Sequence, residues 1–222
     1  LLRFSLYPFS YIFRIIIAIR NILFDKKILT SSRLPVKIIS VGNLTVGGSG
    51  KTPAVIYIAE TLKKLNIQPA FLSRGYGRNT KGYKLVSDGN NILLSPSEAG
   101  DEIILAAAET GCPAAVSENR VIGAENLLKE VKADVIILDD AFQHRWINRD
   151  LNILIFDQSF LLGKNSIDFS LLPSGFMREP FGNVKRADIC IINSKFSEKQ
   201  PLPKRFLKHF NGIPLFYANY KA

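Results

Sequence analysis

The 222-residue sequence predicts an α/β fold: a mostly parallel sheet flanked by helices, preceded by an N-terminal helix lying on a membrane surface. Three observations predict it. From Leu34 onward, short apolar runs alternate with helical ones, the pattern of βαβ units and a parallel sheet. A glycine-rich stretch, "VGNLTVGGSGKTPAVIY" at 41–57, joins an apolar strand to a helix. The first 34 residues are the most hydrophobic part of the chain and carry six Lys/Arg against Asp25 alone.

In "LLRFSLYPFSYIFRIIIAIRNILFDKKIL", Pro8 suits the first turn of a helix running from about Phe9 to Lys26. Arg14 and Arg20 interrupt the apolar run, so no stretch approaches the roughly 20 residues that span a bilayer. No small-residue cleavage site follows, which argues against a signal peptide. Ser10, Arg14, Asn21 and Asp25 fall on one narrow helical stripe, and most other positions are apolar. Such a helix lies in the headgroup region, its cations near anionic lipid; the alternative is a helix packed into the core or a partner.

Beyond it, "VKIISV" (36–41) reads as a buried strand and 53–66 as a helix opened by Pro53. Further strands are expected at 69–73, 114–117, 133–140, 151–157, 188–193 and 214–218. A hairpin is expected over 83–94 with Asp88-Gly89-Asn90 as its turn. "SPSEAGDE" (95–102) starts a helix, with Ser95 or Ser97 as cap and Glu98, Asp101 and Glu102 in its first turns. Three divisions are expected: 1–34 an amphipathic membrane-associated helix, 35–194 a core built on the glycine-rich loop, and 195–222 a basic segment leading into a C-terminal subdomain that this chain is expected to lack.

The net charge of +10 lies at the two ends, since residues 195–222 carry six Lys/Arg against Glu198 and the middle is neutral. A nucleic-acid binder spreads its basic footprint over the working surface, so no nucleic-acid partner is expected. Cys112 and Cys190 lie far apart, form no metal-ligand spacing, and are expected as reduced core thiols.

The glycine-rich stretch fits a triphosphate loop, in which backbone N–H groups face phosphates at a helix N-terminus. Gly47, Gly48 and Gly50 let the backbone approach, Lys51 supplies charge, and Thr52 can hold Mg²⁺. Thr45 stands where the motif usually has its first Gly. "ADVIILDDAFQHR" (133–145) ends an apolar strand in Asp139 and Asp140, where such an enzyme holds Mg²⁺. Arg74 and Arg78 in "LSRGYGR", and Arg120 in "SENRVIGA", are candidate phosphate contacts. Asp101 or Glu102 is the candidate to orient an acceptor hydroxyl and take its proton. Gln143 and His144 are placed at the sheet edge, and His209 in the basic tail.

Taken together, "SVGNLTVGGSGKT", "LSRGYGR", "EAGDE", "ILDDAFQHR", "RDLNILIFD" and "LLPSGFMREP" resemble the lipid A 4′-kinase, or tetraacyldisaccharide 4′-kinase, family from the first helix to about residue 195. The resemblance implies ATP- and Mg²⁺-dependent phosphorylation of the 4′-hydroxyl of an acylated glucosamine disaccharide 1-phosphate, giving lipid IVA. It implies a monotopic association with the cytoplasmic face of the bacterial inner membrane. By residue, it implies that Val46, Gly47, Gly48, Ser49, Gly50, Lys51 and Thr52 bind ATP. Lys51, Asp101 as general base, Asp139 and Asp140 are the catalytic set. Thr52, Asp139, Gln143 and Glu179 are the metal set, and Arg74, Arg120, His144 and Arg178 contact substrate. The family carries Ser or Thr where Thr45 stands. Ala141 replaces the Gly of the family's "DDGFQH". The family continues into a segment with a "PDHH"-like stretch, which this chain is expected to lack. The other readings are a GTPase or metallochaperone-type switch, whose N-K-x-D stretch is absent ("INSK" at 192–195 is nearest), and a non-catalytic nucleotide-binding fragment.

Overall fold

The computed structural model describes residues 2–220. The chain opens with α1 (Leu2–Ser5) and α2 (Tyr7–Asp25), the latter starting ahead of the expected Phe9 because Pro8 is tolerated in a first turn. Strand β1 (Lys37–Gly42) leads through the glycine loop to α3 (Lys51–Lys64), which begins at the loop lysine itself. Then come β2 (Pro69–Ser73), β3 (Lys84–Asp88), α4 (Pro96–Ala99) and α5 (Asp101–Thr110). The chain continues through β4 (Pro113–Val116), α6 (Arg120–Glu130), β5 (Val135–Asp139) and β6 (Leu151–Asp157). It closes with α7 (Gln158–Leu162), β7 (Ile189–Asn193), α8 (Lys204–Leu207) and β8 (Leu215–Ala218).

Two expectations are corrected. The hairpin over 83–94 is a single strand, β3, followed by a turn: Asp88 accepts N–H bonds from Asn90 and Asn91, and the return is one bridge, Ser87 to Ile92. The turn chemistry was legible, but β3 takes β4 as its antiparallel partner. The helix expected from Ser95 is two helices. Ser95 and Glu98 form a capping box on α4, and Gly100, at φ 96°, breaks the chain before α5.

One packing unit comprises residues 31–42 and 51–151. Its strands lie in the order β3-β4-β2-β5-β1, all parallel except β3 against β4. Every residue of β2 and β5 is buried, as expected for parallel strands covered on both faces. Ile38, Leu72, Leu127, Ile136, Leu138 and Ile147 form its core, each contributing about 1.5–3 kcal/mol on burial. The register sets Val41 beside Asp139, Leu72 beside Leu138 and Ser73 beside Val116, so the strand ends share one edge. Open α/β sheets bind ligands at this carboxyl edge.

The other unit comprises residues 1–30, 43–50 and 152–222. Strands β6, β7 and β8 run parallel, with Asp157 opposite Asn193 and Asn193 opposite Ala218. Phe156, Phe181, Phe206 and Phe210 pack edge and face together, with Arg205 over Phe206. The first helix and the basic segment share one unit because both cover the 152–194 stretch. Lys221 of that segment lies outside the described residues.

Helix α2 turns half of its polar stripe inward, Arg14 and Asp25 remaining exposed. Ser10 and Asn21 are buried with Ile17 and Phe24, whereas Ile12, Ile15, Ile16, Ile19 and Ile22 are each at least 43% exposed. Ser10 donates to the Leu171 carbonyl and to Ser174. The expectation that Arg14 and Arg20 exclude a membrane span is also corrected: by length and composition alone, this 19-residue helix qualifies as one.

At Gly42 an added Cβ would meet Phe142 Cβ at 2.8 Å and its backbone N at 2.9 Å. Both neighbours are fixed, so Gly42→Ala is expected to cost on the order of 1–3 kcal/mol, read as a lowered urea midpoint at unchanged m-value.

Candidate functional site

The glycine loop is built from the strand edge outward. Thr45 does not occupy a tight turn; it forms an antiparallel bridge with Met177. On either side of it, the Arg178 N–H bonds the Leu44 carbonyl at 2.7 Å and the Val46 N–H bonds the Phe176 carbonyl at 2.8 Å. A β-branched residue suits this extended geometry, which is why Gly is not needed there. The turn proper lies at Gly47 (φ 100°) and Gly50 (φ 89°). Gly48 has an ordinary φ, and a Cβ there would meet nothing within 4 Å. Nothing in the fold requires that glycine, but open space over bare backbone is what a phosphate group needs. Within the loop, buried Asn43 donates to Ser49 Oγ at 3.0 Å and to the Gly47 carbonyl at 3.4 Å.

At the loop's end, Lys51 starts α3 with half-buried Thr52 beside it. Lys51 is only 9% exposed, and its Nζ lies 3.7 Å from Asp140 Oδ1. Asp140 adopts the left-handed conformation at φ 48° directly after β5. Asp139 is 4% exposed; its Oδ2 accepts from Ser73 Oγ, and its Oδ1 has no hydrogen-bond partner among the described residues. Burial pushes the Asp139 carboxyl up to about 6, helped by the charges of Asp140 and Glu102 and opposed by Lys51. Arg120 is buried at the start of α6, capped by Asn119, and donates to the Ser117 and Glu118 carbonyls. Burial lowers its guanidinium to about 10, against the pull of Asp139, so it stays charged at neutral pH.

The structure thus gathers Lys51, Asp139, Asp140 and Arg120 in one field, with exposed Arg74 contributing to Arg120's and Glu102 to Asp139's. Asp101 is exposed in the first turn of α5. Gln143 and His144 are half-buried in a turn closed by the His144 N–H on the Ala141 carbonyl. Arg78 is not a free clamp, since it is committed to Glu118 and the Gly82 carbonyl.

Glu179, expected in the metal set, is matched by side chains of the chain itself. It is fully buried, and its two carboxylate oxygens are taken by Arg20 at 2.6 Å, by Asn183 at 2.6 Å and by Arg186. Its contacts here tie α2 to the segment that bridges the glycine loop. Among the described residues no group of three or more His, Cys, Asp or Glu forms a metal cage. Mg²⁺ needs none, because it uses one or two carboxylates, phosphate oxygens and water. The unpartnered Asp139 Oδ1 suits such a ligand.

The family model described as "LpxK: Tetraacyldisaccharide-1-P 4'-kinase" matches residues 2–221. The chain belongs to the tetraacyldisaccharide-1-P 4'-kinase family. It is 43% identical to the tetraacyldisaccharide 4'-kinase of Aquifex aeolicus over 97% of this chain and 64% of that protein. It is 43% identical to the Chlorobium limicola protein of the same description, over 84% of this chain and 53% of that one. The crystal structure of LpxK from Aquifex aeolicus in complex with ATP superposes with a TM-score of 0.82 at 41% identity, covering 98% of this chain and 64% of that one. The chain therefore spans between half and two-thirds of the length of these relatives.

Set in this kinase family, Ala141 is not a strained replacement for Gly. The left-handed residue is Asp140, and Ala141 packs into the core with its methyl fully buried. Two residues escaped the sequence reading. Arg20 is the partner of Glu179, 159 positions away, and Asn193 donates to the Ser49 carbonyl across 144 positions. The one local signal for Asn193 was its place at the carboxyl end of a strand.

Because Asp139 titrates higher folded than unfolded, the unfolded chain loses its proton first as pH rises. Stability is then expected to fall between about pH 4 and pH 6 and stay lowered above, by on the order of 2–3 kcal/mol. In EDTA, Asp139→Asn should raise the melting temperature at pH 7 and flatten that slope; an unchanged melting curve would contradict the burial argument.

Proposed function

We propose that this chain carries the nucleotide site of an ATP-dependent kinase that phosphorylates the 4′-hydroxyl of an acylated glucosamine disaccharide 1-phosphate, the product being lipid IVA. The observation that carries the reading is the buried, unpartnered Asp139 oxygen in the field of Lys51, at the strand edge of a chain in this family. The bare backbone at Gly47 and Gly48 receives the β- and γ-phosphates, with Ser49, Gly50 and Lys51 completing the cradle, while Val46, its N–H held by the Phe176 carbonyl, shapes the entry to the loop. Lys51 holds its charge on the phosphates, kept in place by Asp140. Thr52 and Asp139 are the groups that would hold Mg²⁺, which when bound neutralises charge on the phosphate oxygens. Asp101 orients the acceptor hydroxyl and accepts its proton. Arg120, Arg74 and His144 contact acceptor and phosphate charge, and Arg178 is a further candidate contact to the acceptor.

The acceptor's acyl chains remain in the bilayer, and α2 seats its own unit on the bilayer surface. Its isoleucine face is free for lipid, whereas Ser10 and Arg20 are bound to their own unit. A helix crossing the bilayer would leave those partners behind, so we assign α2 to the membrane surface, on the cytoplasmic side of the inner membrane.

Transfer of labelled γ-phosphate from ATP to acylated disaccharide 1-phosphate in mixed micelles tests the reaction. Lys51→Ala and Asp101→Ala should each lower kcat/KM by about 10²–10⁴-fold. ATP binding unaffected by Lys51→Ala would remove the reading. For the membrane assignment, Ile16→Glu with Ile19→Glu should reduce sedimentation with anionic vesicles by about tenfold or more, while leaving ATP affinity unchanged.

A further inference from the structure

We infer that Asn193 is a positioning residue for nucleotide binding: it fixes the Ser49–Gly50 peptide so that the Gly50 N–H is presented to the phosphates. The inference rests on the reading of the glycine loop as an ATP cradle and assigns work to "INSK", which that reading leaves unused.

Asn193 is the last residue of β7 and is 3% exposed. Its Nδ2 donates to the Ser49 carbonyl at 3.1 Å and to the Tyr220 hydroxyl at 3.0 Å. Its Oδ1 accepts the Lys195 N–H at 2.9 Å. The orientation of this amide is fixed by chemistry, because a carbonyl can only accept and a backbone N–H can only donate. Three of the side chain's hydrogen-bonding positions are thus occupied, and the group cannot turn without breaking all three.

What it holds is one edge of a planar unit. In a trans peptide the C=O and the following N–H point in opposite directions. Drawing the Ser49 carbonyl toward Asn193 therefore turns the Gly50 N–H away from Asn193. If this peptide flipped, a carbonyl oxygen would replace a donor in the cradle and repel a phosphate. Ser49 is held from its other end as well, since Asn43 binds its hydroxyl from inside the loop. Contact with Asn193 is close enough to constrain sequence: a Cβ on Gly50 would lie 2.0 Å from Nδ2 and 2.5 Å from the Tyr220 hydroxyl. Gly50 is required by its positive φ and again by its neighbour.

Alignment of the peptide, rather than contact with ATP, is the role, so the test needs a variant that keeps the shape of the side chain. Asn193→Asp retains an acceptor for the Lys195 N–H and removes the donor to Ser49. Calorimetric titration of this chain with ATP at pH 8 should show affinity weakened by about tenfold or more. The deficit relative to the parent chain should shrink toward pH 5, where the introduced carboxyl gains a proton and can donate again; a general loss of structure would not show this recovery. Tyr220→Phe, which leaves the Ser49 bond, should bind ATP within about threefold of the parent. If the aspartate variant does not melt cooperatively, Asn193→Ala gives the same reading with a smaller loss. ATP affinity within about twofold of the parent in a folded Asn193 variant overturns the inference while leaving the cradle standing. A parent chain that fails to bind ATP overturns both.

Discussion

A loop that keeps its N–H groups for a ligand must satisfy its carbonyls elsewhere, and this constraint organises much of what surrounds residues 43–50. The Leu44 carbonyl takes the Arg178 N–H, the Gly47 carbonyl takes Asn43, and the Ser49 carbonyl takes Asn193. Each donor comes from a different place: the 176–178 segment, the loop itself and the end of β7. An unpaired buried carbonyl costs free energy comparable to a lost hydrogen bond. The loop's shape is therefore held by those three donors more than by its glycines, which only permit it.

The same logic governs the charges. Asp139 sits in a setting that favours its protonated form, and Arg120 in one that lowers its own affinity for a proton. Neither is an arrangement that stability alone would select, since burial disfavours both ions. They offset each other only in part, and the remaining imbalance is what a divalent cation and a polyphosphate are suited to fill. Glu179 shows the opposite case. Its burial is complete, but two arginines and an amide match it, and such a matched group serves cohesion.

Much of the fold was legible because it rests on local pattern. Strands β2 and β6 run from Pro69 to Ser73 and from Leu151 to Asp157, as their apolar runs indicate, and Lys51 with Thr52 announced the helix that follows the loop. Periodicity and cap chemistry report on neighbours in sequence. They say nothing about a hydrogen bond between residues 144 or 159 apart, so the roles of Asn193 and of Arg20 with Glu179 were hidden. Helix α2 was legible only in part. Its polar stripe was visible, but a stripe of Ser10, Arg14 and Asn21 does not declare whether water or protein faces it. Thr45 stood out only as a missing glycine, because a bridge to Met177 has no trace in the motif itself.

The inward polar seam of α2 has a geometric consequence. A helix that holds its own unit through apolar contacts can roll about its axis at small cost, because one greasy side resembles another. A seam of Ser10 on Leu171 and Ser174, and Arg20 on Glu179, admits one angular setting. On a lipid surface that setting works as a keel, deciding which way this unit leans. The 168–186 segment, and the loop bridged to it, would then be held behind the helix at a fixed angle to the bilayer whenever the helix is seated.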